Sequence, residues 1–199
     1  CDTEYTQGRK NLTISEILAA VYEANGGRRC GLVVITGGEP FRQNLRDLFD
    51  ALCVRQFYVQ VETNGTLPPS QLNDNQFSVT GTAFYNHASI DRRTGVYIVC
   101  SPKTGKVNIE VLSIACCFKY VAQADHIRAE DGLPTTALGH TANPYLARPP
   151  VWLDRPVYLQ PADEQDAVAN ARNTSAVVQS AMKHGYTVQL QIHKLLGME

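Results

Sequence analysis

Apolar positions along this chain follow two rhythms. Ile14, Ile17, Leu18 and Val21 recur at helical spacing behind Thr13-Ile14-Ser15-Glu16. That tetrapeptide has the form of a capping box, which opens a helix, and Asn25-Gly26-Gly27 supplies the glycine that closes one. Residues 32–36 read as a strand whose first four positions are a continuous apolar run. Four branched or apolar residues in succession predict a strand buried on both faces. The helical rhythm returns over residues 43–54, with Leu45, Leu48, Phe49 and Leu52 on the predicted inner face. Residues 57–62 then read as a strand ending in Glu62-Thr63-Asn64-Gly65-Thr66, where Asn-Gly marks a turn. The order α-β-α-β predicts a parallel sheet with helical crossovers.

The second half continues less regularly. Residues 67–75 form a predicted loop with Pro68-Pro69; 77–85 are β-prone, and the polar stretch 86–95 interrupts them. Residues 97–100 are an apolar strand ending in Ser101-Pro102-Lys103, 107–112 fit either a strand or a short helix, and 118–122 are a strand. The segment 125–154 holds Pro134, Pro144, Pro149 and Pro150 and is expected to be a surface excursion. Val157-Tyr158-Leu159-Gln160-Pro161 is the next strand. An amphipathic helix is expected over 163–183, with Val168, Ala171, Val177 and Val178 inward and Gly185 as its stop. Residues 187–192 are the last predicted strand, followed by His193-Lys194. No internal repeat, low-complexity segment or second domain is visible, so residues 1–199 are expected to form one domain.

Composition narrows the class. With 44% hydrophobic and 19% charged residues the chain reads as globular. A formal net charge of -1 gives no bulk electrostatic drive toward nucleic acid or a membrane surface. No apolar run approaches the roughly 20 residues that span a bilayer, and no secretory leader is visible. The six cysteines (Cys1, Cys30, Cys53, Cys100, Cys116, Cys117) lack the compact spacing of a disulfide framework. Cys53, Cys100, Cys116 and Cys117 lie in apolar runs and are expected to behave as small buried hydrophobes in a reducing, cytoplasmic setting.

Chemistry enters where the strands end. Val33-Val34-Ile35-Thr36 runs into Gly37-Gly38-Glu39-Pro40. The glycines let the backbone turn sharply and approach a ligand, the proline starts a helix, and Glu39 is left at a strand's carboxyl end. Glu62-Thr63-Asn64, Ser101-Pro102-Lys103, Gln160-Pro161 and His193-Lys194 end further strands in polar or turn-forming groups. Parallel β/α folds gather such ends on one edge, where they place their ligands.

Taken in order, Cys1-Asp2-Thr3-Glu4-Tyr5, Val33-Val34-Ile35-Thr36-Gly37-Gly38-Glu39-Pro40, Val61-Glu62-Thr63-Asn64-Gly65-Thr66, Cys100-Ser101-Pro102-Lys103, Leu159-Gln160-Pro161 and Gln191-Ile192-His193-Lys194 resemble the 7-carboxy-7-deazaguanine synthases. These are radical S-adenosylmethionine (SAM) lyases of 7-deazapurine, queuosine-type biosynthesis. The GGE turn indicates the superfamily; the ETNGT, SPK, LQP and HK segments narrow it to this family. The resemblance implies an incomplete, partial TIM-type β/α barrel without its first strand. It implies a 4Fe–4S cluster with one open iron, and SAM cleaved to a 5′-deoxyadenosyl radical that takes a hydrogen from C6 of 6-carboxy-5,6,7,8-tetrahydropterin. A Mg²⁺-assisted ring contraction then gives 7-carboxy-7-deazaguanine and ammonia.

Carried onto this sequence, the resemblance makes Cys1 a cluster ligand and Thr3 a Mg²⁺ ligand, a hydroxyl suiting that hard cation. Gly37, Gly38 and Glu39 match the SAM-binding turn, with the Glu39 carboxylate receiving the methionyl ammonium group. Glu62, Asn64, Ser101, Lys103 and Gln160 match further SAM-pocket positions. Thr36 and His193 match substrate-contacting positions, with the C-terminal tail closing over the same pocket. A homodimer and an electron donor such as flavodoxin are also implied. The family's motif has two more cysteines upstream of the position of Cys1, so the expectation is an N-terminally truncated sequence that binds no intact cluster and is inactive alone. The alternatives are another radical SAM protein, such as a glycyl-radical activating enzyme, and a cluster-less SAM- or pterin-binding protein.

Overall fold

The computed structural model describes residues 10–27, 31–69, 96–138 and 145–196. They fall into two compact units, one holding the described residues up to 100 together with 108–116, the other holding 101–107 and those from 117 onward.

In the first unit, α1 (Ile14–Ala24) precedes β1 (Leu32–Ile35). A 3-10 turn (Pro40–Arg42) and α2 (Arg46–Val54) lead to β2 (Tyr58–Thr63), and β3 (Val96–Cys100) and α3 (Ile109–Ile114) follow among the described residues. The capping box is formed as expected: the Glu16 amide donates to the Thr13 hydroxyl at 3.3 Å, and the Thr13 amide donates to the Glu16 carboxylate at 2.7 Å. All three strands are parallel, with Leu32 opposite Tyr58 and Val59 opposite Val96. Phe49 and Leu52 of α2 are fully buried, as are Val59, Val61 and Ile98 of the strands. Tyr22 meets Phe57 edge-on at 5.5 Å and joins α1 to the start of β2.

Two expectations change here. β1 is not buried on both faces, because Leu32 and Val34 are 56% and 42% exposed. Strand side chains alternate between faces, and among the described residues β1 pairs with β2 alone. The helix expected from residue 43 begins at Arg46, because Pro40 first draws the chain into the 3-10 turn. The open choice at 107–112 resolves to α3, whose start is capped by Asn108 accepting from the Glu110 amide at 2.8 Å. The predicted β-prone stretch 77–85 lies outside the described residues.

The second unit contains β4 (Cys117–Ala122), a 3-10 turn (Ala124–His126), β5 (Val157–Pro161), α4 (Ala167–His184), β6 (Thr187–Val188) and α5 (Ile192–Leu195). Its strands are again parallel, with Tyr120 opposite Leu159 and Leu159 opposite Val188. Phe118, Ala122, Leu159 and Val177 are fully buried between them and α4. The expected strand over 187–192 is cut to two residues, after which the chain turns helical.

Within the expected surface excursion 125–154, several of the described residues are packed, while Tyr145, Val151 and Trp152 are exposed. Leu133, Ala137 and Leu146 are buried, and Leu133 is only 2% exposed. Arg148 pairs with Asp131 at 2.8 Å, Tyr186 donates to the Asp131 carbonyl at 2.6 Å, and Ser180 donates to the Gly132 carbonyl at 2.7 Å. Tyr120 donates to the Ala147 carbonyl at 2.7 Å and fixes the returning limb. Helix α4 supplies one wall of this packing, in a phase that differs from the expected one. Its buried stripe is Asn173, Val177, Ser180 and Ala181, whereas Val168 is 79% exposed. Apolarity alone misplaced the stripe because two of its members are polar and partnered. Asn173 accepts from the Ala124 amide at 2.8 Å and donates to the Ala162 carbonyl at 3.1 Å and to Glu164 at 2.8 Å. It thereby sutures the ends of β4 and β5 to the helix.

Replacing Asn173 with Leu strands that amide and that carbonyl without their partner, at a cost of about 1–3 kcal/mol for each buried group left unsatisfied. Urea denaturation of Asn173→Leu is expected to show a lower midpoint with an unchanged slope.

Candidate active site

The first unit builds a site from the turns that end β1 and β2. Ile35 lies opposite Val61, so the two strand ends are abreast. Beyond β1 the backbone reverses through Gly37, whose φ of +125° disfavours residues with a side chain. A Cβ at Gly37 or Gly38 would meet none of the described residues within 4 Å, so among them the main chain of the turn stands open. Pro40 then starts the 3-10 turn, and Glu39 sits at its N-cap with only 7% of its surface exposed.

The Glu39 carboxylate is an acceptor throughout. Oε1 takes a hydrogen bond from the Thr63 hydroxyl at 2.7 Å and from the Phe41 amide at 3.2 Å, and Oε2 takes one from the Asn64 amide at 2.8 Å. These fill three of the roughly four acceptor positions of a carboxylate. All three donors are neutral, and no cation among the described residues pairs with Glu39. Behind the carboxylate, the Gly65 amide donates to the Thr63 hydroxyl at 3.0 Å, and the Asn64 side chain accepts from the Thr66 amide and hydroxyl at 2.8 and 2.6 Å. The Asn108 amide donates to the Gly65 carbonyl at 2.8 Å and ties this turn to the start of α3.

The second unit holds a separate polar cluster beyond β5. Asp163 follows Gln160-Pro161 closely. It accepts from the Gln165 amide at 2.9 Å, from the Asn170 side chain at 2.8 Å and from Lys194 Nζ at 2.5 Å. The Lys194 bond, followed by those from Gln165 and Asn170, holds the Asp163 carboxyl well below the usual carboxylate range. Helix α5 is thus fastened to the connection between β5 and α4. Ser101 is buried, while Lys103 and Gln160 are half-buried in this unit.

No family model matches this sequence. Among curated proteins, it is 34% identical to the 7-carboxy-7-deazaguanine synthase of Rhodospirillum rubrum over 98% of this chain and 77% of that protein. It is 31% identical to the enzyme of the same name from Rickettsia prowazekii, over the full chain and 74% of that protein. The chain belongs to the 7-carboxy-7-deazaguanine synthase family.

Solved structures agree on the fold. The crystal structure of QueE from Escherichia coli matches with a TM-score of 0.51 at 20% identity, covering 90% of this chain and 64% of that one. Streptococcus suis SuiB, solved bound to its precursor peptide SuiA, matches with a TM-score of 0.51 at 12% identity over 96% of this chain and 44% of that one. The fold is the α/β, radical SAM type that the resemblance implies.

Against the 7-carboxy-7-deazaguanine synthase pattern, the first unit carries Thr36, Gly37, Gly38, Glu39, Glu62 and Asn64. Thr36 and Gly38 are exposed, and Glu62 accepts from the Gln60 side chain at 3.1 Å on the strand face opposite Thr63. Asn64 reaches Glu39 through its backbone rather than its side chain. Ser101, Lys103, Gln160 and His193 belong to the second unit. His193 lies in α5 beside Lys194, though its side chain is outside the described residues, as are Cys1 and Thr3 altogether. Among the described residues no group of three or more His, Cys, Asp or Glu side chains could hold a metal ion. Cys100 and Cys116 are buried in the core as expected, whereas Cys53 and Cys117 are half-buried. Nor is any described helix long and apolar enough to cross a membrane.

Sequence reasoning missed Thr63 and Asp163. Thr63 was detectable as the next inward position after Val59 and Val61 in an alternating strand. Asp163 had no signal of its own, since its partner lies 31 residues away.

A depressed carboxyl pKa stabilises the fold above the unfolded value of about 3.9, and that contribution is lost as pH falls through the folded value. The amides of Lys194 and Leu196, bonded to the Gln191 and Ile192 carbonyls at 3.1 and 3.0 Å, report on α5. In hydrogen exchange they are expected to be less protected in Asp163→Asn than in wild type at neutral pH. The difference should close only in acid, below about pH 4.

Proposed function

We propose that this chain supplies the SAM- and substrate-binding part of a 7-carboxy-7-deazaguanine synthase and is inactive without the two further cluster cysteines of the family's motif, with Glu39 and the open Gly37-Gly38 turn receiving the amino group of SAM. The observation that carries the reading is the buried Glu39 carboxylate, held by three neutral donors and paired with no cation among the described residues. Burying a charge without a counter-charge is costly, so such a site suits a ligand that brings the cation. The open main chain of the turn gives that ligand room to approach.

Where SAM and a reduced 4Fe–4S cluster were bound, they would supply hydrogen-abstracting radical chemistry. The chain's own residues hold and orient. Glu39 fixes the amino end of SAM, and the polar groups that end β2 keep the carboxylate from rotating. Glu62, Asn64, Ser101, Lys103 and Gln160 are proposed to contact the rest of SAM. Thr36 and His193 are proposed to contact the pterin, with Lys194 and Asp163 fastening the helix that carries His193. Cys1 and Thr3 are the proposed cluster and Mg²⁺ ligands by resemblance, and the described residues add no ligand set to them. The same resemblance supports a carbon–nitrogen lyase, a homodimer, a flavodoxin-type electron donor and a cytoplasmic setting.

Glu39→Gln keeps the size of the side chain, removes its charge and turns one acceptor oxygen into an NH2 donor. A hydrogen bond to a charged group contributes about 1.5–3 kcal/mol, so SAM affinity should fall roughly tenfold to a hundredfold. Isothermal titration with SAM measures this, and unchanged affinity in a folded variant would overturn the assignment. Chromatographic detection of 7-carboxy-7-deazaguanine from 6-carboxy-5,6,7,8-tetrahydropterin tests the reaction itself, with product expected from protein that carries all three cluster cysteines and none from this sequence alone.

A further inference from the structure

We infer that Thr63 is the positioning residue that makes Glu39 selective for an amino group. This rests on the reading of Glu39 as the acceptor for SAM and adds a residue to it. In β2, alternate positions Val59, Val61 and Thr63 point into the core, and Thr63 is 1% exposed. A valine would fill that slot but bring no group to meet the Glu39 carboxylate or the Gly65 amide. The threonine hydroxyl instead donates to Glu39 Oε1 at 2.7 Å and accepts from the Gly65 amide at 3.0 Å.

The orientation of that hydroxyl follows from its two neighbours. The Gly65 amide has only a hydrogen to offer, so it occupies a lone pair of the Thr63 oxygen. The Thr63 proton is then directed to the carboxylate. Gly65 itself is held in the turn by a φ of +78° and by the Asn108 amide on its carbonyl at 2.8 Å. A chain of bonds from α3 through Gly65 and Thr63 therefore ends on Oε1, while the Asn64 amide fixes Oε2. With both oxygens held, the carboxylate plane cannot turn, and its remaining acceptor position has one direction. A charge alone would attract any cation. A charge with a fixed acceptor direction favours a donor at one place, and Thr63 supplies that constraint.

The test compares two ligands across four proteins by calorimetry: S-adenosylhomocysteine, and its analogue without the α-amino group. Wild type is expected to prefer the amino compound at least tenfold. Thr63→Val should compress that preference to threefold or less by weakening the amino compound alone, and Thr63→Ser should retain it. Glu39→Gln should also compress it. If Glu39→Gln leaves the preference intact, the reading of Glu39 itself fails. If Glu39→Gln compresses it while folded Thr63→Val keeps it, Thr63 has no positioning role and the reading of Glu39 stands. Should Thr63→Val not fold, Thr63→Ala replaces it with the same expectations. Loss of the preference in folded Thr63→Ser would overturn the inference as well, because the hydroxyl is still present there.

Discussion

The hydrogen-bonded carboxylate of Glu39 is the constraint on which the first unit's site depends. Two parallel strands bring their carboxyl ends level, but the loops that follow would be free to diverge. Glu39 closes the gap by taking donors from its own turn and from the end of β2. Those bonds cross 24 and 25 residues of sequence and link the TGGEP turn to the ETNGT turn. Buried at 7% exposure, the carboxylate needs those donors, and the donors need it, because the Thr63 hydroxyl is equally cut off from water. Neither turn has its observed shape without the other.

The second unit solves a similar problem with different chemistry. Its long connection from β4 to β5 is held by a carboxylate–guanidinium pair, Asp131 with Arg148, and by main-chain carbonyls that accept from Tyr186 and Ser180. Its C-terminal helix is held by Asp163 with Lys194. The inward face of α4 takes part through Asn173 and Ser180, two polar residues in a stripe that apolar spacing would assign to hydrophobic ones. A helix that must accept the ends of two strands meets unpaired amides and carbonyls there, and polar side chains satisfy them.

That contrast explains what the sequence could and could not disclose. The parallel α/β class, the capping box at Thr13 and five of the strand positions were legible, because apolar periodicity and glycine or proline punctuation report local structure directly. The GGEP turn and the strand-end polar groups were legible for the same reason, and their order along the chain carried the family. Periodicity failed where burial depended on distant partners. Residues 125–154 read as surface because prolines and polar residues dominate them, yet Leu133 and Leu146 are buried and Arg148 pairs with Asp131. In β1, Leu32 and Val34 read as core because apolar residues were equated with burial. At Glu39 the residue was legible and its surroundings were not, since Thr63 is marked only by its parity in the strand.

The carboxylates themselves separate structure from function. Asp131 and Asp163 each have a basic side chain within ion-pair distance, and each fastens a segment of the second unit. Glu39 is more deeply buried than either and lacks such a partner among the described residues. If stability alone had shaped the position, a nearby arginine or lysine could neutralise the buried charge. Keeping the charge while satisfying it only with neutral dipoles makes sense where a cation or a polarised amino group arrives from outside. The open backbone of Gly37 and Gly38 lies beside that charge in the same turn. Deep burial, neutral donors and an open approach together distinguish a ligand-receiving carboxylate from the two that fasten the fold.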